Sequence, residues 1–357
     1  MDGIDVALTN IRKNSISLIE KINVPYPKAI SSQLEDVVLK EKMLTTHELA
    51  ILDINLGHQF GMAAIQVLKR KNLKGSEIIA IGSHGQTVRH CPTSPTPYSL
   101  QIGHGATIAA LSKITTITDF RSLDIAHGGQ GAPLVPAFHE WCFAPENGER
   151  IILNIGGIAN ITILNSISDH PIALDTGPGN CLMDEWIKIH LNQPYDKNGS
   201  WAASGNVIPN LLKNLLNHEY FKKPPPKSTG REMFNIDFLE RRMSESMQKP
   251  AAPKDIQATL LMFSVESIRS AITLASSDNS SPIFICGGGY HNKNLVKSLQ
   301  LAFPKRQISS TDALGYCPSF VEAAAFSWFA YKRVNNLPVK LVTSDEVKYL
   351  KLGAVHA

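Results

Sequence analysis

The 357-residue sequence has few of the features that mark secreted, membrane-spanning or nucleic-acid-binding proteins. Its five cysteines form no C-x-x-C pair, so neither a disulfide framework nor a zinc site is favoured, and a reduced, cytoplasmic compartment is expected. No apolar run reaches about 18 residues, the length that a bilayer requires. The opening MDGIDVALTN lacks the pattern of a signal peptide. We therefore expect no membrane partner.

Charge is also sparse and balanced, with 18% charged residues and a net charge of +4. Lysine and arginine are dispersed and form no basic stripe interleaved with aromatic residues, so we expect no nucleic-acid partner. The hydrophobic content of 43% is typical of a globular protein. The length exceeds what one core accommodates, and a polar break at residues 144–148 predicts two domains, 1–147 and 148–357.

The rest of the chain is organised around residues 150–186. An apolar strand at 151–153 enters Gly156 and Gly157, and a second apolar strand at 161–164 leaves them, which predicts a hairpin with a tight glycine turn. Glycines let the backbone approach a ligand and offer bare N–H groups, which suit phosphate oxygens.

A third strand in this stretch ends in a carboxylate, Asp175, and runs into the turn TGPGN at 176–180. A buried strand that ends in an acid beside a turn short of side chains can present a base to a ligand. The alternative is an ordinary turn with a capping aspartate, and the residues alone leave both interpretations open.

In the first half, an apolar strand predicted at 78–81, buried and parallel, runs into His84, Gln86 and Thr87. Amide and hydroxyl groups match sugar hydroxyls, so this is a candidate sugar-binding edge, although a histidine such as His84, taken alone, is more often a hydrogen-bonded turn residue. Arg121 follows another strand, and it either clamps a carboxylate or phosphate or forms a structural ion pair with Asp119 or Asp124.

In the second half, an apolar strand at 283–286 leads into Gly287, Gly288 and Gly289 and then into a helix. A planar or anionic ligand can lie against bare backbone at such a place. Glu322 begins the last long helix, where it either complements the helix dipole or contacts a ligand.

Taken together, the chain resembles the anhydro-N-acetylmuramic acid kinase family from residue 2 to about residue 338. The resemblance is carried by GSHGQTVRH (82–90), LQIG (100–103), DFRSLDIAHGGQGAPLVPAFH (119–139), LNIGGIANIT (153–162), LDTGPGNCLMDEW (174–186), KSTGRE (227–232), ATLLMF (258–263) and ICGGGYHN (285–292).

The resemblance implies an α/β fold with two ribonuclease H-like domains of the sugar kinase/Hsp70/actin type and an interdomain cleft that holds the nucleotide. Each domain is expected to contain a mixed five-stranded sheet flanked by helices. ATP and Mg²⁺ are the implied cofactors, a homodimer is the implied assembly, and the metal ligands are not identified.

The resemblance also implies roles for individual residues. Asp175 falls on the catalytic base. The implied ATP contacts are Asp2, Gly3, Ile4 and Asp5 on the first phosphate loop, Asn154, Gly156, Gly157 and Asn160 on the second, and Gly287, Gly288, Gly289 and Asn292 on the adenosine-facing turn. The candidate substrate contacts are His84, Gln86, Thr87, Arg121, Thr176, Gly177, Asn180 and Glu322.

The reaction implied is the ATP-dependent phosphorylation of 1,6-anhydro-N-acetylmuramic acid, coupled to opening of its anhydro ring by water. One departure from the family pattern is that the DG pair of residues 2–3 has no apolar strand and G-T-S-x loop ahead of it, so we expect unpaired ladders in the first domain's sheet. The second departure is a charged tail. The alternatives are a catalytically impaired nucleotide- or sugar-binding homologue and a kinase of another amino sugar.

Overall fold

The structure is a computed structural model that describes residues 3–13, 15–38, 42–168, 170–225, 227–342 and 347–357. The chain divides into two units by its internal contacts. Unit 1 comprises residues 1–142 and 320–357, and unit 2 comprises residues 143–319.

Groups of strands and groups of helices follow one another along the chain. The strands are β1 (Ile4–Arg12), β2 (Ser15–Val24), β3 (Ile81–Gly82), β4 (Gln86–Cys91), β5 (Tyr98–Ile102), β6 (Thr116–Thr118), β7 (Glu149–Ile155), β8 (Ile158–Asn165), β9 (Ile172–Pro178), β10 (Ile283–Cys286), β11 (Ile308–Ser310), β12 (Val339–Val342), β13 (Val347–Leu350) and β14 (Ala354–His356). The α-helices are α1 (Lys28–Val38), α2 (Thr46–Arg70), α3 (Gly105–Ser112), α4 (Ser122–Ala126), α5 (Val135–Phe143), α6 (Cys181–Leu191), α7 (Ser200–Ala203), α8 (Pro209–Leu216), α9 (Ile236–Ser246), α10 (Pro253–Ala275), α11 (Lys293–Ala302) and α12 (Val321–Val334).

Unit 2 contains one mixed five-stranded sheet, in the order β9-β8-β7-β10-β11. The central strand β7 pairs antiparallel with β8 and parallel with β10, β8 pairs antiparallel with β9, and β10 pairs parallel with β11. Ile151, Ile152 and Leu153 of β7 are fully buried, as expected for a strand covered on both faces. The predicted glycine hairpin and the mixed sheet are confirmed in unit 2.

Helix α10 forms much of the core of unit 2. Its apolar residues, which include Leu260, Phe263 and Ile268, are buried among the strands and helices of that unit. The helix is long and apolar enough to cross a membrane, with a mean hydropathy of 1.3 over its most apolar window, but 61% of that window is buried. Such burial is typical of a core helix.

In unit 1 the strands form several small groups. β1 pairs antiparallel with β2, β4 pairs antiparallel with β5, and β6 pairs parallel with β3 and antiparallel with β14. No ladder among the described residues joins β1 to β3, so the single five-stranded sheet expected for the first domain is not formed there. Both strands instead contact α12, where the Thr9 and Ser327 hydroxyls lie 2.9 Å apart and Gly82 abuts the Phe326 carbonyl.

The strand predicted at residues 78–81 is corrected by the structure. Only Ile81 and Gly82 form a strand, and Ile79 is 69% exposed. The physical reason is that β3 pairs on one side only within the described residues, which leaves little to order or bury the residues before it.

The division into units also differs from the predicted domains. The chain passes from unit 1 to unit 2 between Cys142 and Phe143, close to the predicted boundary at residues 147–148. Residues 320–357, however, belong to unit 1 and not to the predicted domain 148–357. The rings of Phe326 and Phe329 pack on Phe120, and β14 extends the ladder of β6. The sequence shows no change of composition at residue 320 that predicts this return.

Candidate active site

A row of polar side chains crosses the sheet of unit 2 near the carboxyl ends of β7, β9 and β10. Cys286 pairs with Asn154, Asn154 pairs with Asn160, and Asn160 pairs with Asp175. Directly paired residues place their side chains on the same face of a sheet. The hairpin and the third strand therefore bring Asn154, Asn160 and Asp175 to one face. The sequence predicted the hairpin and the strand but not that these side chains share a face. The carboxyl ends of parallel strands are where α/β proteins bind ligands.

The turns at this edge contact one another through their backbones. The N–H of Gly179 donates to the Gly157 carbonyl at 2.8 Å, and the N–H of Asn180 donates to the Gly156 carbonyl at 2.9 Å. Gly287, at φ 83°, lies against Asn154 and the Ile155 carbonyl, where a Cβ has no room. Glycine is required at positions 179 and 287, because an added Cβ would collide with the Gly156 and Ile155 carbonyls, respectively.

The glycine turn at Gly156 and Gly157 keeps its amide hydrogens available. Its two carbonyls accept hydrogen bonds from residues 179–181, whereas neither N–H donates to an oxygen of a described residue. Adjacent unpaired backbone N–H groups form a concavity that favours anions. Gly288, at the end of β10, also faces open space, since an added Cβ would meet nothing within 4 Å.

Asp175 is half-buried and is held by a segment that follows it by some fifty residues. Its Oδ2 accepts a hydrogen bond of 2.9 Å from the N–H of Thr229, and its own N–H donates to the Lys227 carbonyl at 3.0 Å. The Tyr220 hydroxyl donates to the Asp175 carbonyl at 2.6 Å. Asp175 thus accepts from a distant loop and not from the start of α6, so the interpretation as a capping aspartate is wrong.

Burial raises the pKa of Asp175 from 3.8 to about 6. The Thr229 N–H lowers this pKa because it stabilises the carboxylate, and the negative charge of Glu232 raises it. A carboxylate with a pKa near neutrality is a stronger base than an exposed aspartate and is still ionised at pH 7.

Three residues predicted to contact a ligand also have a structural role. The Thr176 side chain is 1% exposed and its hydroxyl donates to the Ala159 carbonyl, which ties β9 to β8. Gly177 is buried with φ 130°, and a Cβ there would collide with the ring of Phe221. Asn292 is 9% exposed, and its Oδ1 caps α11 by accepting from the Leu295 N–H. Ligand contacts of these three residues stay predictions.

Asn180 lies at the start of α6 and is half-buried. Its backbone N–H holds the glycine turn, and its side-chain amide donates to the Ile155 carbonyl at 3.4 Å. It therefore fixes the geometry of the turn, and a contact of Asn180 with substrate stays a prediction.

In unit 1 the predicted residues His84 and Arg121 contact each other. Nε and Nη2 of Arg121 lie 3.1 and 2.8 Å from Nε2 of His84, and Nη1 donates to the Gly131 carbonyl at 2.6 Å. His84 is thus the acceptor. Burial and the Arg121 charge lower the pKa of His84 to about 3, which keeps it neutral.

Arg121 forms neither of the two alternative structural ion pairs, with Asp119 or with Asp124. The carboxylate of Asp119 accepts from the Ser122 N–H, and that of Asp124 accepts from the Gly131 N–H. Since His84 and Gly131 engage three of the five guanidinium N–H groups, two donors are left for a ligand.

Glu322 lies in the first turn of α12, in the same unit as Arg121. The surrounding protein raises its pKa by desolvation, and the charge of Arg121 opposes this shift. Gln86 and Thr87 begin β4 and are half-buried, with the Thr87 hydroxyl accepting from Gln101 at 3.2 Å. These residues stay candidate sugar contacts.

The predicted first phosphate loop is described only in part, because Asp2 lies outside the described residues. Gly3 abuts the Val24 carbonyl, with 2.6 Å between that oxygen and an added Cβ. Ile4 is buried as the first residue of β1, and Asp5 accepts from the Asn23 side chain at 2.8 Å. The nucleotide contacts of Gly3, Ile4 and Asp5 stay predictions.

Residue-level reasoning missed the groups that hold Asp175. Thr229 binds Asp175 through its backbone N–H, which any residue except proline could supply, so the residue type gives no signal. Tyr220 lies in a segment that contains no recognisable motif. The motif KSTGRE (227–232), which carries part of the family resemblance, is the one sequence signal that points to this segment. The described residues contain no group of three or more His, Cys, Asp or Glu side chains suited to a metal ion.

Comparison with known proteins gives full-length matches. The family model described as anhydro-N-acetylmuramic acid kinase matches residues 1–357. A protein of that name from Nitrosomonas europaea is 44% identical over 100% of this chain and 96% of its own length. The one from Shewanella halifaxensis is 45% identical over 100% and 95% of the two chains.

Solved structures give weaker likenesses. A ROK family glucokinase from Streptomyces griseus is 10% identical, covers 91% of this chain and 98% of its own, and has a TM-score of 0.38. Component A of (R)-2-hydroxyglutaryl-CoA dehydratase from Acidaminococcus fermentans is 10% identical, covers 77% and 84%, and has a TM-score of 0.41. The full-length family match and the identity to its members confirm the resemblance found in the sequence: the chain belongs to the anhydro-N-acetylmuramic acid kinase family.

Proposed function

We propose that this chain uses ATP to convert 1,6-anhydro-N-acetylmuramic acid and water into N-acetylmuramic acid 6-phosphate and ADP. Its family membership makes it a phosphotransferase. The observation that carries the proposal is the half-buried Asp175, with a pKa raised to about 6, in one polar row with Asn154 and Asn160 beside a glycine turn.

Asp175 acts as the general base. Its free carboxylate oxygen accepts a proton from the water whose oxygen bonds to the anomeric carbon. The bond between that carbon and the bridging oxygen breaks, and the released oxygen bonds to the terminal phosphorus of ATP as the bond from that phosphorus to the oxygen of departing ADP breaks. A positioned base contributes on the order of 10²–10⁴-fold to such a reaction. The hydrogen bond from Thr229 fixes the orientation of the carboxylate.

The residues at the carboxyl edge of the unit 2 sheet fit a nucleotide. The unpaired N–H groups of Gly156 and Gly157 suit phosphate oxygens, and the open face at Gly288 admits a planar group against bare backbone. ATP, when bound, supplies the phosphoryl group and its leaving group. Asn154 and Asn160 offer amide donors on the same face.

Mg²⁺ fits this edge only as a companion of the nucleotide. The described residues hold no carboxylate cluster that would bind the ion alone. Magnesium usually keeps several waters and binds through substrate phosphates with one or two carboxylates. We therefore expect Mg²⁺ to arrive with ATP and to neutralise charge on the phosphates.

Unit 1 supplies the candidate sugar contacts. Arg121, with two uncommitted guanidinium donors, suits the carboxylate of the substrate's lactyl group, and Gln86, Thr87 and Glu322 suit hydroxyl and amide groups. Cytoplasmic location, a homodimeric state and the lack of nucleic-acid and membrane partners stay predictions.

The test measures ADP release and product mass with a panel of sugars. The expected result is ADP release with the 1,6-anhydro sugar and a product heavier than that sugar by one phosphate and one water. N-acetylmuramic acid without the anhydro bridge and N-acetylglucosamine serve as controls, and neither is expected to turn over at a comparable rate. Equal rates with either control would indicate a kinase of another amino sugar and contradict the proposal.

A further inference from the structure

One cationic side chain lies directly over the glycine turn. The Arg231 guanidinium covers Gly157, so that a Cβ added at Gly157 would lie 2.6 Å from Nη2, 2.8 Å from Nε and 3.0 Å from Cζ. A larger residue at position 157 would displace the guanidinium, and glycine lets it lie against the backbone of the turn. The turn is the one whose two N–H groups have no oxygen acceptor among the described residues.

The Arg231 guanidinium itself is not committed to another group. Arg231 is exposed, and it makes no hydrogen bond and no ion pair within 4 Å to a described residue. Its charge acts on Glu185 of α6, where burial raises the pKa of the carboxyl and Arg231 opposes that shift. The Arg231 guanidinium therefore lies at the glycine turn, and no described residue accepts a hydrogen bond from its five N–H donors.

The position of Arg231 is linked to that of Asp175. Arg231 is two residues from Thr229, whose N–H binds the Asp175 carboxylate. The 227–232 segment is anchored further by Lys227, whose carbonyl accepts from the Asp175 N–H and whose Nζ donates to the Tyr220 carbonyl at 3.2 Å. One segment thus orients the base and carries a guanidinium to the turn.

From this geometry we propose that Arg231 is a further catalytic residue, which binds the terminal phosphate of ATP against the glycine turn and stabilises the phosphoryl group during transfer. The inference rests on the proposed function. A planar guanidinium beside two backbone N–H groups matches the oxygens of a phosphoryl group, and a charge-assisted contact of this kind is stronger than a neutral hydrogen bond. Charge on the transferring group is what protein groups neutralise in phosphoryl transfer.

A binding experiment tests the contact without requiring turnover. Calorimetry gives the affinities for ATP and for ADP of the parent chain, Arg231→Met, Arg231→Lys and the control Arg241→Met, since Arg241 is exposed on α9. The expected result for Arg231→Met is a loss of about tenfold or more in ATP affinity, with ADP affinity within about threefold of the parent. Arg231→Lys recovers part of the loss, and Arg241→Met matches the parent.

Kinetics test the catalytic part of the proposal. Arg231→Met is expected to lower kcat by about 10²–10³-fold with little change in the KM for the sugar, the scale for loss of one donor to a developing charge. Arg231→Lys is expected to lie between Met and the parent because it keeps the charge and loses the planar fork.

Two outcomes overturn the inference. An unchanged ratio of ATP to ADP affinity in Arg231→Met means that the guanidinium does not contact the terminal phosphate. An equal loss for both nucleotides together with a lower melting temperature means that Arg231 is structural. If the parent chain turns over none of the sugars, the proposed function is wrong. In that case the ratio of ATP to ADP affinity, compared between the parent and Arg231→Met, still decides whether Arg231 binds the terminal phosphate.

Discussion

Asp175 is more constrained than an aspartate at the end of a strand needs to be. Its carboxylate, its N–H and its carbonyl each have a partner in the segment from Tyr220 to Thr229. This arrangement fixes one carboxylate oxygen and leaves the other for a proton. The desolvation that raises the pKa of Asp175 lowers the stability of the folded chain when the carboxylate is ionised, and it makes that carboxylate a stronger base.

The first prediction concerns the pH dependence of kcat/KM. Because a base must be ionised, the rate is expected to fall as the pH decreases through about 6, the pKa of Asp175. Since the charge of Glu232 raises that pKa, Glu232→Gln is expected to move the acid limb to lower pH. Exposed Glu240→Gln on α9 is the control, and its profile should overlay that of the parent. An acid limb that Glu232→Gln leaves in place would contradict this assignment.

The second prediction concerns stability. The pKa of Asp175 is raised in the folded chain, so folding favours the neutral acid, and the folded state loses stability as the pH rises from about 4 through about 6. Asp175→Asn removes this cost and keeps an oxygen to accept from Thr229. We expect its free energy of unfolding to exceed that of the parent by about 1–3 kcal/mol at pH 8 and by little at pH 4. Denaturant titrations at both pH values measure it, and a less stable variant at pH 8 would refute the argument.

At the scale of elements, the edge of the unit 2 sheet depends on turns that meet backbone to backbone. Gly179 shows this most directly, because an added Cβ would collide with the Gly156 carbonyl and its N–H binds Gly157. Gly288 at the neighbouring turn is the matched contrast, since a Cβ there meets nothing within 4 Å.

The third prediction compares these two glycines. Gly179→Ala is expected to lower the free energy of unfolding by about 1–3 kcal/mol, because the two turns must separate, and to weaken ATP binding through the displaced glycine turn. Gly288→Ala is expected to change the stability by less than about 0.5 kcal/mol. Denaturant unfolding and calorimetry provide the measurements, and equal stability losses in the two variants would show that the turns do not pack as described.

The elements that the sequence predicted well are those whose pattern is local. β7, β8 and α10 follow from apolar runs and periodicity, and the glycine turn follows from the residues between two strands. β3 was mispredicted because burial of the 78–81 run depends on pairing with distant strands. Thr229 was missed for a related reason, since a backbone N–H that binds a distant carboxylate has no sequence signature.

At the scale of the whole molecule, the chain leaves unit 1, builds unit 2 and returns. The return was not predictable, because the apolar face of α12 shows that this helix packs on something and does not show on which unit. In the structure Leu352 is buried, and the Gly353 carbonyl accepts from Arg333 at 2.8 Å. The tail thus completes unit 1.

The fourth prediction tests this discontinuous arrangement. Residues 143–319 contain a complete five-stranded sheet and its core, so this fragment is expected to fold alone. Residues 1–142 alone lack α12 and β14 and are expected to unfold without a cooperative transition. Thermal unfolding followed by circular dichroism measures both, and a cooperative transition of fragment 1–142 would contradict the assignment of residues 320–357 to unit 1.

The most direct test of the central claim is the turnover of Asp175→Asn with saturating ATP and 1,6-anhydro-N-acetylmuramic acid. Exposed Asp237→Asn on α9 is the matched control. We expect kcat of Asp175→Asn to fall by about 10²–10⁴-fold while the affinities for both substrates stay within about threefold of the parent. A kcat within about threefold of the parent would show that Asp175 is not the base.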